Sequence, residues 1–298
     1  MDEIGEQQMK IGYQGVPGSY SEAALLGFSK NQPIKKSMEV VQYSSFITLI
    51  QDLAKQKLDA IVLPVENSTT GQISRTMDYL RYEPIIATQE NYQSIQHTLW
   101  GTPGSKLEDI THVYSHPEAL SQTQVFFDKH KHLKAIAFQN TAKAAEYIAH
   151  EKDPTKAALA SQRAGEIYGL VPLKETVQTE KTNTTRFFLL QHQNKASQLK
   201  GSRVIYYIET PHESGALLKL LQVFNIYECN MQRLNSRPIK GVAFKYGFFI
   251  EVDYQAEKVS LSDLNNMIQQ VTDYYQVLGH LTPNPKADNQ HEIINIYP

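Results

Sequence analysis

Three polar clusters stand at the ends of apolar runs, and their side chains are of kinds that hold anions and move protons. Glu66-Asn67-Ser68-Thr69-Thr70-Gly71 follows the apolar run that ends at Val65. Ser115-His116-Pro117 follows Thr111 to Tyr114, with Gln122 on the helix beyond, and Thr182-Asn183-Thr184-Thr185-Arg186 leads into Phe187-Phe188-Leu189-Leu190. Taken singly, each reads as a cap or a turn. Three in comparable topological places point to one shared cleft holding a carboxylate, an arginine, amides and hydroxyls. That set suits binding a polar anion and moving a proton, or only binding the anion. It offers no thiolate and no grip for a cofactor, so none is expected. Gly12, Gly15 and Gly18 precede Ser19-Tyr20-Ser21-Glu22. Their spacing is neither a dinucleotide nor a phosphate-loop fingerprint. Turn chemistry and a loop-to-helix anion site both account for them.

Metal chemistry finds no support. The chain has ten histidines, but His130 and His132 lie in a lysine-rich turn and no His-Glu-x-x-His or paired-cysteine pattern exists. The single cysteine, Cys229, stands in an apolar stretch and reads as a structural thiol.

The elements that must position these clusters follow a βα alternation. Strands are expected at Lys10–Gln14, Val40–Tyr43, Ala60–Val65, Thr111–Ser115, Leu133–Phe138, Ala157–Ser161 and Arg186–Gln191, with helices between them. Ser19 with Glu22 has capping-box spacing, and Asn140 can cap a helix running to about His150. The continuous apolar run at Ala60–Val65 suits a strand buried on both faces of a parallel sheet. The fold expected is an open α/β sheet with helices on both faces, built as two lobes with crossings near Gln89 and Gln178. Ligands of such sheets bind beyond the carboxyl ends of the strands, where the first two clusters lie. A polar linker, Gln193–Gly201, precedes a different order. Strands at Arg203–Ile208, Met231–Ser236, Tyr246–Val252 and Tyr275–His280, with helices at Gly215–Phe224 and Leu261–Val271, give βαββαβ with both helices on one face of an antiparallel sheet. The end of the chain, from Thr282, reads as a loose tail whose Ile293, Ile294, Ile296 and Tyr297 are expected to dock.

Composition bounds the rest. The 298 residues are enough for two ordinary domains, and a hydrophobic fraction of 41% supplies their cores. Lysine plus arginine number 29 against 31 acids, a formal charge of -2 that carries no nucleic-acid or membrane-surface footprint. Neither a signal-peptide core nor a membrane-spanning run occurs, so a soluble cytoplasmic protein is expected.

These residues resemble the prephenate dehydratases. The resemblance rests on Gly15-Val16-Pro17-Gly18-Ser19-Tyr20-Ser21, Pro64-Val65-Glu66-Asn67-Ser68 with Gly71, Ser115-His116-Pro117 with Gln122, and Asn183-Thr184-Thr185-Arg186-Phe187, in family order over about the first 190 residues. Thr123 departs from the cysteine that many members carry. The last third is similar to the amino-acid-sensing ACT domains in its βαββαβ order, in Gly215-Ala216-Leu217, and in Asn235-Ser236-Arg237-Pro238, where dehydratases usually have Glu-Ser-Arg-Pro. Asn235 in place of glutamate and Ser214 in place of a common proline are departures.

The resemblance implies a two-lobed catalytic domain, similar to periplasmic binding proteins, over 9–192. Its lobes would be 9–88 with 178–192, and 89–177. An ACT domain at 202–281 and a tail at 282–298 would follow, with no mutase domain before. It implies conversion of prephenate to phenylpyruvate, water and carbon dioxide, inhibition by L-phenylalanine, and a homodimer or homotetramer. Thr185 would act on the leaving hydroxyl, and Asn67, Ser115 and Gln122 would orient substrate. Ser68, Thr184, Phe187 and Ser19 would line the site. Arg186 would either grip a carboxylate or pair with one of the protein's own. Glu66 would either stay protonated or face away from the dianion. Gly215, Ala216, Leu217, Asn235, Ser236, Arg237 and Pro238 would hold the effector. Arogenate, the amino analogue, is an alternative substrate, and a non-catalytic anion-binding protein an alternative class.

Overall fold

The computed structural model describes residues 8–31, 38–180, 182–194 and 201–284. Most of the polar linker, and the end of the tail with Ile293 to Tyr297, lie outside the described residues. In chain order the elements are β1 (Met9–Gln14), α1 (Tyr20–Asn31), β2 (Met38–Tyr43), α2 (Phe46–Ala54), β3 (Ala60–Asn67), β4 (Gly71–Gln72), α3 (Ser74–Tyr82), β5 (Ile85–Ser94), β6 (Thr98–Gly101), β7 (His112–Ser115), α4 (Pro117–Gln122), α5 (Gln124–Lys129), β8 (Lys134–Ala137), α6 (Thr141–Glu151), β9 (Lys156–Ala160), α7 (Gln162–Ile167), β10 (Val171–Lys174) and β11 (Thr184–His192). Then come β12 (Arg203–Glu209), α8 (Ala216–Ile226), β13 (Asn230–Pro238), β14 (Tyr246–Asp253), α9 (Leu261–Val271) and β15 (Tyr274–Leu281). The chain divides into two compact units. One is Met1–Leu49, Val62–Ile73 and Asn91–Phe187; the other is Ile50–Ile61, Ser74–Glu90 and Phe188–Pro298.

In the first unit β1 and β2 pair in parallel, from Met9 opposite Met38 to Gln14 opposite Tyr43. A five-stranded sheet runs β10-β6-β9-β7-β8. Helical crossovers join β7 to β8 and β8 to β9, which makes β7 parallel to both neighbours. β6 lies outside that run and pairs antiparallel with β9 and β10, so the sheet is mixed rather than all-parallel. Successive side chains alternate between its faces. Leu99, Val113 and Leu159 pack with Phe126 and Phe127 of α5, whereas Trp100, Ala158 and Ala160 pack with α6 and Ala164 of α7. Helices thus cover both faces, as the periodicity predicts. Asn140 caps α6 by accepting from the Lys143 N–H at 2.7 Å, and Ser161 caps α7 by accepting from the Ala164 N–H at 3.0 Å.

In the second unit four strands run β13-β14-β12-β15, all antiparallel. Val204, Tyr206 and Ile208 of β12 pack with Ile250 and Val252 against Leu220, Val223 and Phe224 of α8 and Leu264 and Ile268 of α9. The intervening residues of β12 face the other way, and α3 meets them there. The Arg81 guanidinium lies 4.3 Å from the Tyr207 ring and 4.4 Å from the Tyr274 ring, and reaches Glu209 at 3.4 Å. Arg203 is buried beside Glu90 and Glu251 and bonds Asp253 at 2.6 and 2.8 Å. The sheet also continues from β15 to β5, with Gly279 opposite Ala87. No helix among the described residues is long and apolar enough to cross a membrane.

Candidate active site

The end of β3 and the start of β11 bring Asn67 onto Asn183 and Thr185. The Asn67 amide nitrogen donates to Asn183 Oδ1 at 2.7 Å and to Thr185 Oγ1 at 3.0 Å. Its oxygen accepts from the backbone N–H groups of Thr69 and Thr70 at 2.9 and 3.1 Å. Backbone N–H groups only donate, so the Asn67 amide has one permitted orientation. Both of its amide protons and its oxygen are committed within the protein. Thr185 Oγ1 therefore accepts from Asn67 and keeps its own O–H for another acceptor. Asn67, Asn183 and Thr185 are all buried.

The orientation propagates. Asn183 Oδ1 is an acceptor, so its amide nitrogen donates, to Gln122 Oε1 at 2.8 Å. The Gln122 amide nitrogen donates to Glu118 Oε1 at 3.1 Å, one helical turn away on α4. Gln122 Oε1 also lies 3.2 Å from His97 Nε2. His97 is 2% exposed, with its backbone N–H donating to Gln178 Oε1 at 2.9 Å. Its Nδ1 is 3.2 Å from Tyr20 Oη, which also donates to the Gln96 carbonyl. Burial pushes the imidazole below the ordinary histidine range, while the bond to Gln122 works the other way. Burial holds the Tyr20 phenol far above its ordinary range. Neither His97 nor Tyr20 was a candidate from sequence, since neither stands among the polar clusters. Tyr20 lies within the first resemblance element, which carried only Ser19 forward.

The other candidates sit differently. Ser115 is fully buried and donates to the Leu159 carbonyl at 2.7 Å, which ties β7 to β9. Ser68 is exposed. Its N–H donates to the Thr184 carbonyl at 2.8 Å and its hydroxyl accepts from the Thr184 N–H at 3.0 Å, fastening the two segments. Glu66 precedes Asn67 on β3, opposite Gln72 of β4, and strand alternation turns it to the other face. Arg186 is turned from Thr185 in the same way. It is 4% exposed and lies 5.8 Å from the Tyr92 ring, while Phe187, on the Thr185 face, is buried. Ser19 caps α1, accepting from the Glu22 N–H at 3.3 Å. Gly18 has φ of 86°, and a Cβ there would meet Ala164 Cα at 2.6 Å. Its N–H donates to Glu22 Oε2 at 2.8 Å, so a carboxylate of the chain itself occupies that donor. Arg163 adds bonds to Glu22 at 2.7 and 3.2 Å. Burial opposes the Glu22 charge, but Arg163 and Gly18 outweigh it and hold the carboxyl below its ordinary range.

The expected effector residues lie in the second unit. Gly215 caps α8 with φ of 80°, a left-handed conformation that favours glycine. A pocket of about 220 Å³ is lined by Ala216 and Leu217 together with Glu209, His212, Tyr246 and Phe248. Asn235, Ser236, Arg237 and Pro238 are on β13 rather than in its lining, and Arg237 bonds Asp78 of α3 at 2.7 Å. Cys229 is also in this unit, and burial pushes its thiol up to about 11.

The described residues thus form a mixed α/β fold in which strand ends gather amides and hydroxyls at Asn67, Asn183 and Thr185. The chain belongs to the prephenate dehydratase family, whose model matches residues 11–195. Arogenate dehydratase 1 of Petunia hybrida is 32% identical over 286 residues, covering 91% of this chain and 66% of that protein. A bifunctional chorismate mutase/prephenate dehydratase of Neisseria gonorrhoeae is 31% identical over 253 residues, covering 83% of this chain and 67% of that protein. The chain thus spans about two thirds of the length of these relatives. The solved prephenate dehydratase of Arthrobacter aurescens in complex with L-Phe has the same fold, with a TM-score of 0.80 at 23% identity over 92% of this chain and 90% of that one.

Proposed function

We propose that this chain converts prephenate to phenylpyruvate, water and carbon dioxide. The observation that carries the reading is the bond from Asn67 to Thr185 Oγ1. It supplies the threonine oxygen with a donor and directs the threonine proton to a ligand. In the step proposed, the ring C–O bond breaks as Thr185 donates to the leaving hydroxyl, which departs as water. The bond to the ring carboxylate breaks as well, its electron pair enters the ring, and carbon dioxide leaves. One proton from solvent completes the balance. Aromatisation makes the reaction downhill, so catalysis needs alignment and a donor. Asn67, with every polar atom engaged, positions Thr185 rather than touching substrate. Ser115 is assigned to the scaffold. Arg186, engaged within the protein on the face away from Thr185, is assigned to holding β11. Phenylpyruvate formed on mixing prephenate with the purified chain tests the reading. A folded sample that forms none refutes it.

Arogenate is the second substrate to weigh, because a relative named arogenate dehydratase is 32% identical. The ratio of kcat/KM for the two substrates decides between them. We assign 9–192 to a two-lobed catalytic domain and 202–281 to an ACT domain that senses L-phenylalanine in a homodimer or homotetramer. The pocket at Ala216 and Leu217 and the L-Phe complex of the Arthrobacter aurescens enzyme support this. Isothermal titration with L-phenylalanine, read beside inhibition at fixed prephenate, tests it. No heat and no inhibition reject the effector assignment.

A further inference from the structure

We propose that His97 is a positioning residue of this site, donating from Nε2 to Gln122 and so fixing Gln122, Asn183 and Thr185 in register. The proposal rests on the dehydratase reading for what the register serves, and on geometry alone for the register itself. The direction of each bond follows from the one before. Thr69 and Thr70 fix the Asn67 amide, which fixes Asn183, which makes Gln122 Oε1 an acceptor. A second neighbour of that oxygen must be a donor, and the neighbour is His97 Nε2 at 3.2 Å. The Nε2–H form is therefore required whatever the state of Nδ1. The ring is held from its far side by Tyr20, whose O–H has the Gln96 carbonyl and His97 Nδ1 as its two possible acceptors. His97 is 2% exposed, which shields its Nε2 from water, whereas Gln122 is half-buried and its Glu118 end is exposed. Gln122 is thus clamped between α4, through Glu118, and the segment between β5 and β6, through His97.

Glutamine at 97 can place an amide N–H near the Nε2 position, whereas leucine fills the volume and donates nothing. His97→Leu is expected to lower kcat by about 100-fold with KM little changed, the cost of displacing an aligned group. His97→Gln recovers most of that loss. In the Gln122→Ala background, His97→Leu adds less than about threefold, because its partner is already gone. A residue that only fills space would give the reverse: additive losses, and no rescue by glutamine. Nitrogen-15 spectra of histidine-labelled wild type read the bond without substrate, and the expected signal is a protonated Nε2 on His97 that changes in Gln122→Ala. A bare Nε2 overturns the proposal even where the leucine variant fails to fold. Wild-type protein that turns over neither prephenate nor arogenate would refute the proposed function instead, and the spectra would still decide the hydrogen bond.

Discussion

Replacing Asn67 by aspartate tests the direction of every hydrogen bond around Thr185. The change is nearly isosteric, so volume and backbone are kept. The oxygen that accepts from Thr69 and Thr70 is kept too. What changes is the atom facing Asn183 Oδ1 at 2.7 Å and Thr185 Oγ1 at 3.0 Å, which turns from a donor into a carboxylate oxygen. The Thr185 O–H would then donate to that carboxylate. A hydrogen bond to a charged group is worth about 1.5–3 kcal/mol, and it must be broken before Thr185 can donate to a leaving hydroxyl. At about 1.4 kcal/mol per decade, kcat falls by about 10- to 150-fold. Asn183 and Gln122 can each turn their amides in response. The misfit then moves to Glu118, whose exposed carboxylate would face the Gln122 oxygen across 3.1 Å, and to His97, whose Nε2–H would face the Gln122 amide nitrogen unless the ring changes tautomer. Because the Glu118 end is solvated, the stability loss is expected near the lower end of the roughly 1–3 kcal/mol for an unsatisfied group. Phenylpyruvate formation gives kcat, and urea unfolding gives stability. In the Thr185→Ala background Asn67→Asp should have little further effect on kcat. A single variant within about threefold of wild-type kcat would refute the assigned bond directions, since that is well short of the 10-fold minimum above.

Thr185→Ala should lower kcat by about 10²- to 10⁴-fold, the range of a positioned proton donor, with an unchanged circular-dichroism melt. Arg203→Met leaves the buried Glu90 and Glu251 without their cation, and denaturant unfolding should show a loss of about 3–5 kcal/mol. Glu22 has its carboxyl held below the ordinary 4.5, so the stability it lends is present above that pH and lost as pH falls through the folded value. Glu22→Gln should accordingly melt earlier than wild type at neutral pH, with the gap closing in acid. Gly215→Ala places a Cβ at φ of 80°, which should cost about 1–2 kcal/mol in thermal melting and weaken any response to L-phenylalanine.

The strands that the pattern missed are as instructive as those it found. β3, β9 and β12 are apolar runs, and the sheet buries them on both faces, so period and burial agree. β5 was not legible because Thr88, Glu90 and Asn91 are polar yet buried. Each has a partner far away in sequence: Thr88 bonds the Leu189 carbonyl, Glu90 pairs with Arg203, and Asn91 donates to the Ala24 carbonyl. No local pattern encodes such partners. The same reason hid His97, one residue before β6, whose role exists only once Gln122 and Tyr20 are beside it. Ser115 is the converse case. A serine at a strand end reads as a ligand-facing hydroxyl, but here it serves the neighbouring carbonyl of Leu159.

Glu66 was the unresolved member of the candidate set, because a charged carboxylate next to a dianionic substrate is repulsive. We propose that Glu66 is the member that faces away, as the strand period supports. Glu66 and Asn67 are consecutive on β3, so their side chains leave opposite faces. The face that meets Thr185 carries amides: Asn67, Asn183 and, through Asn183, Gln122. Amides can direct a hydroxyl proton as a carboxylate does, but they bring no negative charge against the substrate's two. Their weakness is that either orientation of each amide is sterically allowed, so something must choose. The backbone N–H groups of Thr69 and Thr70 choose at one end, and the proposed His97 Nε2–H bond would hold that choice at the other. On the proposed function, an amide face for a dianion would depend on that turn and that histidine as well as on Thr185.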